Sequence, residues 1–297
     1  MITLAHISDI HLSPMPDVGW RDLLGKRLTG YLNWKLRRHD ELNSETLASL
    51  VAHLRAQKAD FTAVTGDLVN LALPFEVERA GQWLKALGGP DRVAVCPGNH
   101  DAYVPGALES AQQTWGAYLQ GETLDDAAFP FVRRVGELAV ISCSSAVPTR
   151  PFLAIGRFDE QQADRLGRIL STMGEAGYFR TVLIHHPPNP ELQHPSFGLK
   201  GHKLFRQVLA EHGAELILHG HTHRSSIHSI PGKDKEVPVV GVAAASAAQG
   251  GKLDDPARYN LFRIERTGDG NWSCTMREYG FQRLGSDIVM RLQMRIF

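Results

Sequence analysis

Five short clusters of aspartate, histidine and asparagine punctuate this 297-residue chain: Asp9-x-His11, Gly66-Asp67, Gly98-Asn99-His100-Asp101, His185-His186 and Gly220-His221-x-His223. Alone, each has a plain explanation. An aspartate after a strand is usually a turn residue or a helix cap, and a lone histidine usually sits on the surface or hydrogen-bonds within a core. Together they offer imidazole, carboxylate and amide oxygen, a donor set that suits manganese, iron, cobalt or zinc. No thiolate joins them, which argues against a structural zinc site. The Asp-x-His and His-x-His spacings predict that both side chains of a pair share one face of an extended segment. Gly66, Gly98 and Gly220 predict sharp turns and close backbone approach.

Such a site needs elements that all end at one place. Each cluster follows a short apolar run that reads as a strand: Ile2 to Ile7, Phe61 to Thr65, Arg92 to Cys96, Thr181 to Ile184 and Glu215 to Leu218. Helical spacing separates them, as in Leu47, Leu50, Val51 and Leu54, and again in Phe205, Val208 and Leu209. Asn43 or Ser44 is available to cap the first of these helices. Asp159 with Gln162 resembles a capping box opening another. After His223 the pattern turns all-β, with strands expected at Val237 to Val242, Tyr259 to Arg266, Trp272 to Glu278 and Met290 to Ile296. The expectation is an α/β fold in one domain over residues 1–297. It is a four-layer α/β/β/α sandwich of two mixed sheets, with the metal site at the C-terminal ends of strands.

Composition narrows the classes. Lys+Arg and Asp+Glu balance at 32 each, so no global basic field points to nucleic acid. Cys96, Cys143 and Cys274 lack a CxxC pair, and reduced thiols in a cytoplasmic protein are expected. The N-terminus lacks a basic, then apolar, leader. No apolar run reaches the ~20 residues of a transmembrane helix.

In order, D-x-H, G-D, G-N-H-D, H and G-H-x-H resemble the motif set of the calcineurin-like metallophosphoesterases. The resemblance implies two divalent metal ions, with manganese, iron or zinc the leading candidates. Asp9, His11, Asp67 and His223 would hold the first, and Asp67, Asn99, His185 and His221 the second. It selects His185 over His186, because the family's ligand lies two residues before a proline, here Pro187. His186 then becomes a pocket residue. His100 would face the substrate rather than a metal, and Asp101 would hydrogen-bond His100 and set its orientation. The reaction implied is in-line attack by a metal-activated hydroxide, without a covalent phosphoenzyme.

The run Ile184-His185-His186-Pro187-Pro188, with Gly198-Leu199-Lys200-Gly201-His202 after it, resembles the bacterial cyclic-nucleotide and glycerophosphodiester phosphodiesterases. A small-molecule or lipid phosphodiester is therefore the expected substrate. His194, Lys200 and His202 are candidate substrate contacts, with solvated loop residues as the plainer reading. Residues 20–38 form a basic, Trp-bearing insertion in which Trp20, Leu24, Leu28, Tyr31 and Leu32 recur at helical spacing. Either a helix packed on the domain or a helix that caps the site or meets an anionic membrane surface fits that pattern. The membrane version implies a phospholipase C-like or lipid-head-group phosphodiesterase, peripheral to the inner face of the membrane. Arg291 and Arg295 on the last strand could serve the same surface or a homo-oligomer interface. A non-catalytic metal-binding scaffold, a nuclease and a protein phosphatase are the rivals. The scaffold is disfavoured because no ligand and no His100 is missing. The nuclease is disfavoured by the balanced charge, and the protein phosphatase by the absence of further Arg-containing motifs.

Overall fold

A computed structural model describes residues 1–15, 18–20, 22–23, 25–35, 43–192, 194–247, 255–281 and 287–297. The first half alternates strand and helix: β1 Ile2–Ile7, α1 Lys26–Asn33, α2 Ser44–Ala56, β2 Phe61–Val64, α3 Pro74–Leu87, β3 Val93–Val95 and α4 Ala107–Trp115. There follow β4 Phe131–Val135, β5 Leu138–Ser142, β6 Gly156–Arg157, α5 Glu160–Glu175, β7 Phe179–Leu183, β8 Leu199–Lys200, α6 His202–His212 and β9 Leu216–His219. The rest is strand: β10 Ser226–Pro231, β11 Glu236–Gly241, β12 Arg258–Arg266, β13 Trp272–Phe281 and β14 Ile288–Arg295.

Two six-stranded sheets result, in the orders β14-β13-β12-β1-β2-β3 and β10-β11-β9-β7-β5-β4. β1, β2 and β3 run parallel, as do β5, β7, β9 and β11. Both sheets are mixed, since β12 pairs antiparallel with β1 and β4 with β5. The period of two in the strands builds the layers. In β5, Leu138 and Val140 join a core shared with Leu4, Val64 and Phe262 of the other sheet. Ala139 and Ile141, on the opposite face, pack with Leu166 and Ile169 of α5 and Phe205 of α6. Leu50 of α2 and Val77 and Leu84 of α3 join the first core from outside. Strands buried on both faces read as continuous apolar runs, which is why β2 and β5 show no alternation. The expected α/β/β/α order is the one observed.

Local chemistry fixes the helix starts. Asn43 caps α2 by accepting from the N–H groups of Glu45 and Thr46 at 2.8 and 3.1 Å. Asp159 caps α5 by accepting from the Gln162 N–H at 3.0 Å. The capping box is not reciprocal, however. The Gln162 amide instead clamps the Ser144 backbone, accepting from its N–H and donating to its carbonyl, both at 2.8 Å. A buried loop after β5 competes for that side chain.

The insertion is shorter as helix than its pattern suggests. α1 spans eight residues, and residues 21, 24 and 36–38 of the expected 20–38 segment lie outside the described residues. Cys96, Cys143 and Cys274 are buried and free. Among the described residues, no helix is long and apolar enough to cross a membrane.

Candidate metal centre

All five clusters lie beyond the C-terminal ends of β1, β2, β3, β7 and β9, where the two sheets meet. Backbone hydrogen bonds knit the first two loops side by side. Asp9 N–H donates to Gly66 O at 3.0 Å, His11 N–H to Asp67 O at 2.9 Å and Leu12 N–H to Leu68 O at 3.0 Å. His185 crosses from the second sheet to the first, its Nδ1 donating to Thr65 O at 2.6 Å. His221 N–H donates to Asp9 Oδ2 at 3.0 Å, and Gly220 N–H to His185 O at 3.1 Å.

The pairs are not extended, contrary to the spacing argument. Asp9, His11, Asp67, His221 and His223 have φ of 52°, 39°, 54°, 69° and 54°. Non-glycine residues rarely adopt this left-handed region, at a cost of order 1–3 kcal/mol each. The side chains converge because the chain curls at each cluster, not because alternate residues share a strand face. Gly98 is required by close approach: a Cβ there would collide with Asp67 Oδ1.

The side chains form overlapping groups. Asp9, His11 and His223 offer ligand atoms within 4.8 Å of one another, and so do Asp67, His185 and His221; a third group, His11, Asp67 and His100, shares a residue with each. His223 Nε2 lies 3.3 Å from Asp9 Oδ1. Asp67 Oδ2 lies 3.3 Å from His185 Nε2 and 3.9 Å from His11 Nε2, so this carboxylate sits between the two groups. Asn99 Oδ1 is 3.2 Å from His185 Nε2. Nitrogens facing away from the centre are tied to carbonyls: His11 Nδ1 to Val69 O at 3.2 Å, and His221 Nε2 to Phe197 O at 2.8 Å. Such outer bonds fix the ring and tautomer of metal-binding histidines.

Electrostatics fit a cation here. Asp9 and Asp67 are buried. Burial alone would raise both carboxyls, but the surrounding histidines outweigh it. His223 and His185 hold Asp9 below the usual range, and His185, His100 and His11 hold Asp67 well below it. Burial opposes charge on His185, yet Asp67 and Asp9 lift it to about 9. Two buried carboxylates thus draw positive charge onto a buried imidazole, the role a bound cation fills. The residues present fit a dinuclear divalent metal centre.

His186 is excluded as a ligand by its own bonds. Its Nδ1 pairs with Ser145 Oγ at 2.8 Å and its Nε2 donates to Ala154 O at 3.1 Å. Its ring lies 4.2 Å from that of His221 and buttresses it. His100 stands at the edge, its ring 4.8 Å from His11 and stacked on Tyr103 at 5.4 Å. Its Nδ1 donates to Asn70 O at 2.6 Å. The expected Asp101 contact is corrected here. Asp101 Oδ2 accepts from the N–H groups of Asp67 and Gly98, and Oδ1 from Leu68, all at 2.9 Å. Burial, reinforced by the Asp67 charge, raises its carboxyl to about 7. Asp101 builds the turns that carry the ligands, while the Asn70 carbonyl orients His100.

Two cavities meet at Asn99, His100, Ala154 and Phe197. One, of about 580 Å³, holds Asp67, His221, His223, His194 and Arg224. The other, of about 320 Å³, runs under α1 past Lys26, Trp34, Tyr103 and Phe152. Of the proposed substrate contacts, His194 lies at the centre. Lys200 does not: the short β6–β8 ribbon carries it to a separate hollow beside Arg157 and Glu160. His202 opens α6 and lines neither cavity. Arg224, Phe152 and Tyr103 were not foreseen. Only Arg224 left a signal, as a charge immediately after His223.

Comparison with known proteins agrees with this geometry. The chain is 25% identical over 275 residues to a probable cyclic nucleotide phosphodiesterase of Synechococcus sp., covering 91% of this chain and 90% of that one. The fold is similar to that of a dimetal phosphatase from Danio rerio, with a TM-score of 0.62 and 13% identity over 97% of this chain and 98% of the other. It is also similar to a purple acid phosphatase from yellow lupin (Lupinus luteus) seeds, with a TM-score of 0.55 and 10% identity over 97% of this chain and 53% of that one. The profile of the calcineurin-like phosphoesterases matches residues 2–225, and the chain belongs to that family.

Proposed function

We propose that this chain hydrolyses a small-molecule phosphodiester, with His100 as the proton donor to the leaving oxygen. The observation that carries the diester reading is the pair of cavities meeting at His100 and Asn99. A phosphorus atom at that junction has room for a substituent on each side, whereas a monoester needs one. The Synechococcus relative's description supports the same class.

Two divalent ions held by Asp9, His11, Asp67, Asn99, His185, His221 and His223 would polarise a phosphoryl oxygen and acidify a water. Manganese, iron and zinc all suit these donors. His100 keeps Nδ1–H on Asn70 O, so Nε2 is the nitrogen that delivers the proton. Asp67 Oδ1 accepts from the backbone N–H of His100 at 2.7 Å, tying that backbone to the carboxylate that would lie between the two metals. Arg224 stands where it would meet anionic oxygen on the retained side.

The test is purified protein with Mn²⁺, assayed on bis-p-nitrophenyl phosphate, p-nitrophenyl phosphate, cyclic nucleotides, glycerophosphodiesters and phospholipids. Preference for the monoester overturns the diester reading. Absence of turnover on every substrate favours the scaffold.

A second reading places the substrate in a lipid surface. Trp20, Leu28 and Leu32 are 72%, 49% and 50% exposed, and basic amphipathic segments with tryptophan suit anionic interfaces. Two of its cations are turned inward, since Arg27 donates to Leu71 O and Ala72 O and Lys26 to Thr149 Oγ1. Cosedimentation with anionic vesicles at low salt decides this reading, and no binding sinks it.

A further inference from the structure

The cavity under α1 is lined by none of the candidate ligand histidines and shares Asn99, His100, Ala154 and Phe197 with the cavity at the centre. Its walls are built on purpose-made contacts. Gly30 lets α1 lie directly on Tyr103 and Leu71, since a Cβ there would collide with the Tyr103 hydroxyl. Lys26 spans the cavity: its Nζ donates to Thr149 Oγ1 at 2.7 Å and stands 4.2 Å from the Tyr103 ring centroid. The Thr149 hydroxyl in turn donates to Leu153 O at 2.5 Å. α1 is thereby tied across the cavity to the loop that carries Phe152. That phenylalanine is 83% exposed and held at φ 65°, an unusual conformation for a bulky residue. This strained, exposed aromatic stands at the mouth of the cavity, where a bound group could lie against it.

We infer that this cavity seats the leaving group of the diester, and that this group is an alcohol or phenol with an aromatic or apolar body bearing an oxygen within reach of Lys26. The inference rests on the phosphodiesterase reading. In the reaction, water adds to phosphorus and gives up a proton to solvent, the bond from phosphorus to the leaving oxygen breaks, the His100 proton passes to that oxygen, and solvent reprotonates His100. The donor must lie within hydrogen-bond reach of the departing oxygen. The ring of His100 stacks on Tyr103, so its own packing lies on the α1 side. The other cavity holds His221, His223, Asp67 and Arg224, the groups that face the phosphoryl oxygens and the retained substituent. Phe152 and Phe197 offer exposed faces for a flat or apolar body, and the buried Trp34 and Tyr103 close the wall behind them. At about 320 Å³ the space is at the lower end for small-molecule pockets, enough for one ring system with its substituents.

The test compares bis-p-nitrophenyl phosphate with methyl p-nitrophenyl phosphate, in Mn²⁺, for wild type, Phe152→Ala and Lys26→Met. Both esters release the same p-nitrophenolate and differ only in the retained group. In Phe152→Ala, KM for both esters rises roughly three- to tenfold, more than any fall in kcat. Lys26→Met shifts both in the same direction. Unchanged KM for both esters overturns the inference. A rise confined to bis-p-nitrophenyl phosphate also overturns it, since the cavity would then hold the retained group. If wild type cleaves neither ester, the diesterase reading fails instead. The cavity is then judged on saturation-transfer NMR of p-nitrophenol with metal-stripped protein. Transfer seen in wild type and lost in Phe152→Ala supports the pocket, and no transfer to wild type counts against it. Phe152 is so exposed that its truncation removes little packing, and circular dichroism verifies the fold.

Discussion

The Asp101 carboxylate accepts the backbone N–H of Asp67 at 2.9 Å, linking the turn after β3 to the carboxylate between the two ligand groups. The same side chain also accepts from Leu68 and Gly98. An amide in its place must turn its NH₂ toward at least one of these donors. We expect Asp101→Asn to lose about 1–3 kcal/mol of stability, the cost of a buried donor left without an acceptor. Metal content should fall with it. If Asp101 served only to orient His100, the variant would keep two metals and lose kcat alone. Metal analysis beside kinetics separates the two outcomes.

His100→Ala should give the opposite pattern. Its ring joins His11 and Asp67 in one group of converging donors, but the Asp9–His11–His223 and Asp67–His185–His221 groups are complete without it, and Asp67 Oδ1 is met by the backbone N–H of residue 100. Two metal equivalents should remain while kcat falls about 10²–10⁴-fold, the usual worth of a positioned acid. Loss of metal with activity intact would contradict the assignment. A milder version acts through Glu76, whose carboxylate accepts from Asn70, Leu71 and Leu73 N–H at 2.9–3.0 Å. It shapes the loop whose Asn70 carbonyl holds the ring. Glu76→Ala should lower kcat less than His100→Ala does, and should lower stability as well.

The contrast between these residues shows what could be read from sequence. The convergence of the five Asp/His/Asn clusters was legible because each follows a short apolar run that ends as a strand. The layer order was legible because helical and strand periods alternate. The left-handed backbone at Asp9, His11, Asp67, His221 and His223 was not, since only a glycine announces positive φ in a sequence. The roles of Asp101 and Gln162 were misassigned for one reason. Their partners lie in other loops, and local spacing favoured a neighbour in sequence. α1 showed its apolar and basic pattern, but not that Gly30 would press it against Tyr103 and place a cavity beside His100.

Acid should weaken the fold through His53, away from the metal centre. Its Nδ1 pairs with the Tyr259 hydroxyl at 2.8 Å, and its ring packs near Tyr279. Burial lowers its pKa below the ordinary histidine value. The folded state therefore binds a proton here less readily than the unfolded chain does. The stabilisation is present above the unfolded value and lost as pH falls through the window below about 6.5. His53→Asn removes this term. In metal-stripped protein, urea midpoints of wild type should drop more than those of the variant between about pH 7.5 and about pH 5.5. Equal drops would show that the site does not titrate within the fold.

Metal removal should destabilise the chain beyond what lost ligand bonds suggest. Five ligand candidates sit at positive φ, and Asp9 and Asp67 are buried carboxylates. Strain of this kind persists where the surroundings hold it, and a divalent ion held by both carboxylates would add to that hold. Binding to the native state alone, at a hundredfold excess over Kd, contributes about 2.7 kcal/mol, or roughly 4 °C in Tm for a chain of this size. Stripping with EDTA should therefore lower Tm by that order and abolish turnover. Readdition of Mn²⁺ should restore both together. In Asp67→Asn, the Mn²⁺-induced rise in Tm should largely disappear, because the residue between the two groups has lost its charge. A full rise in that variant would show that the two groups bind metal independently, and would remove Asp67 as the bridge.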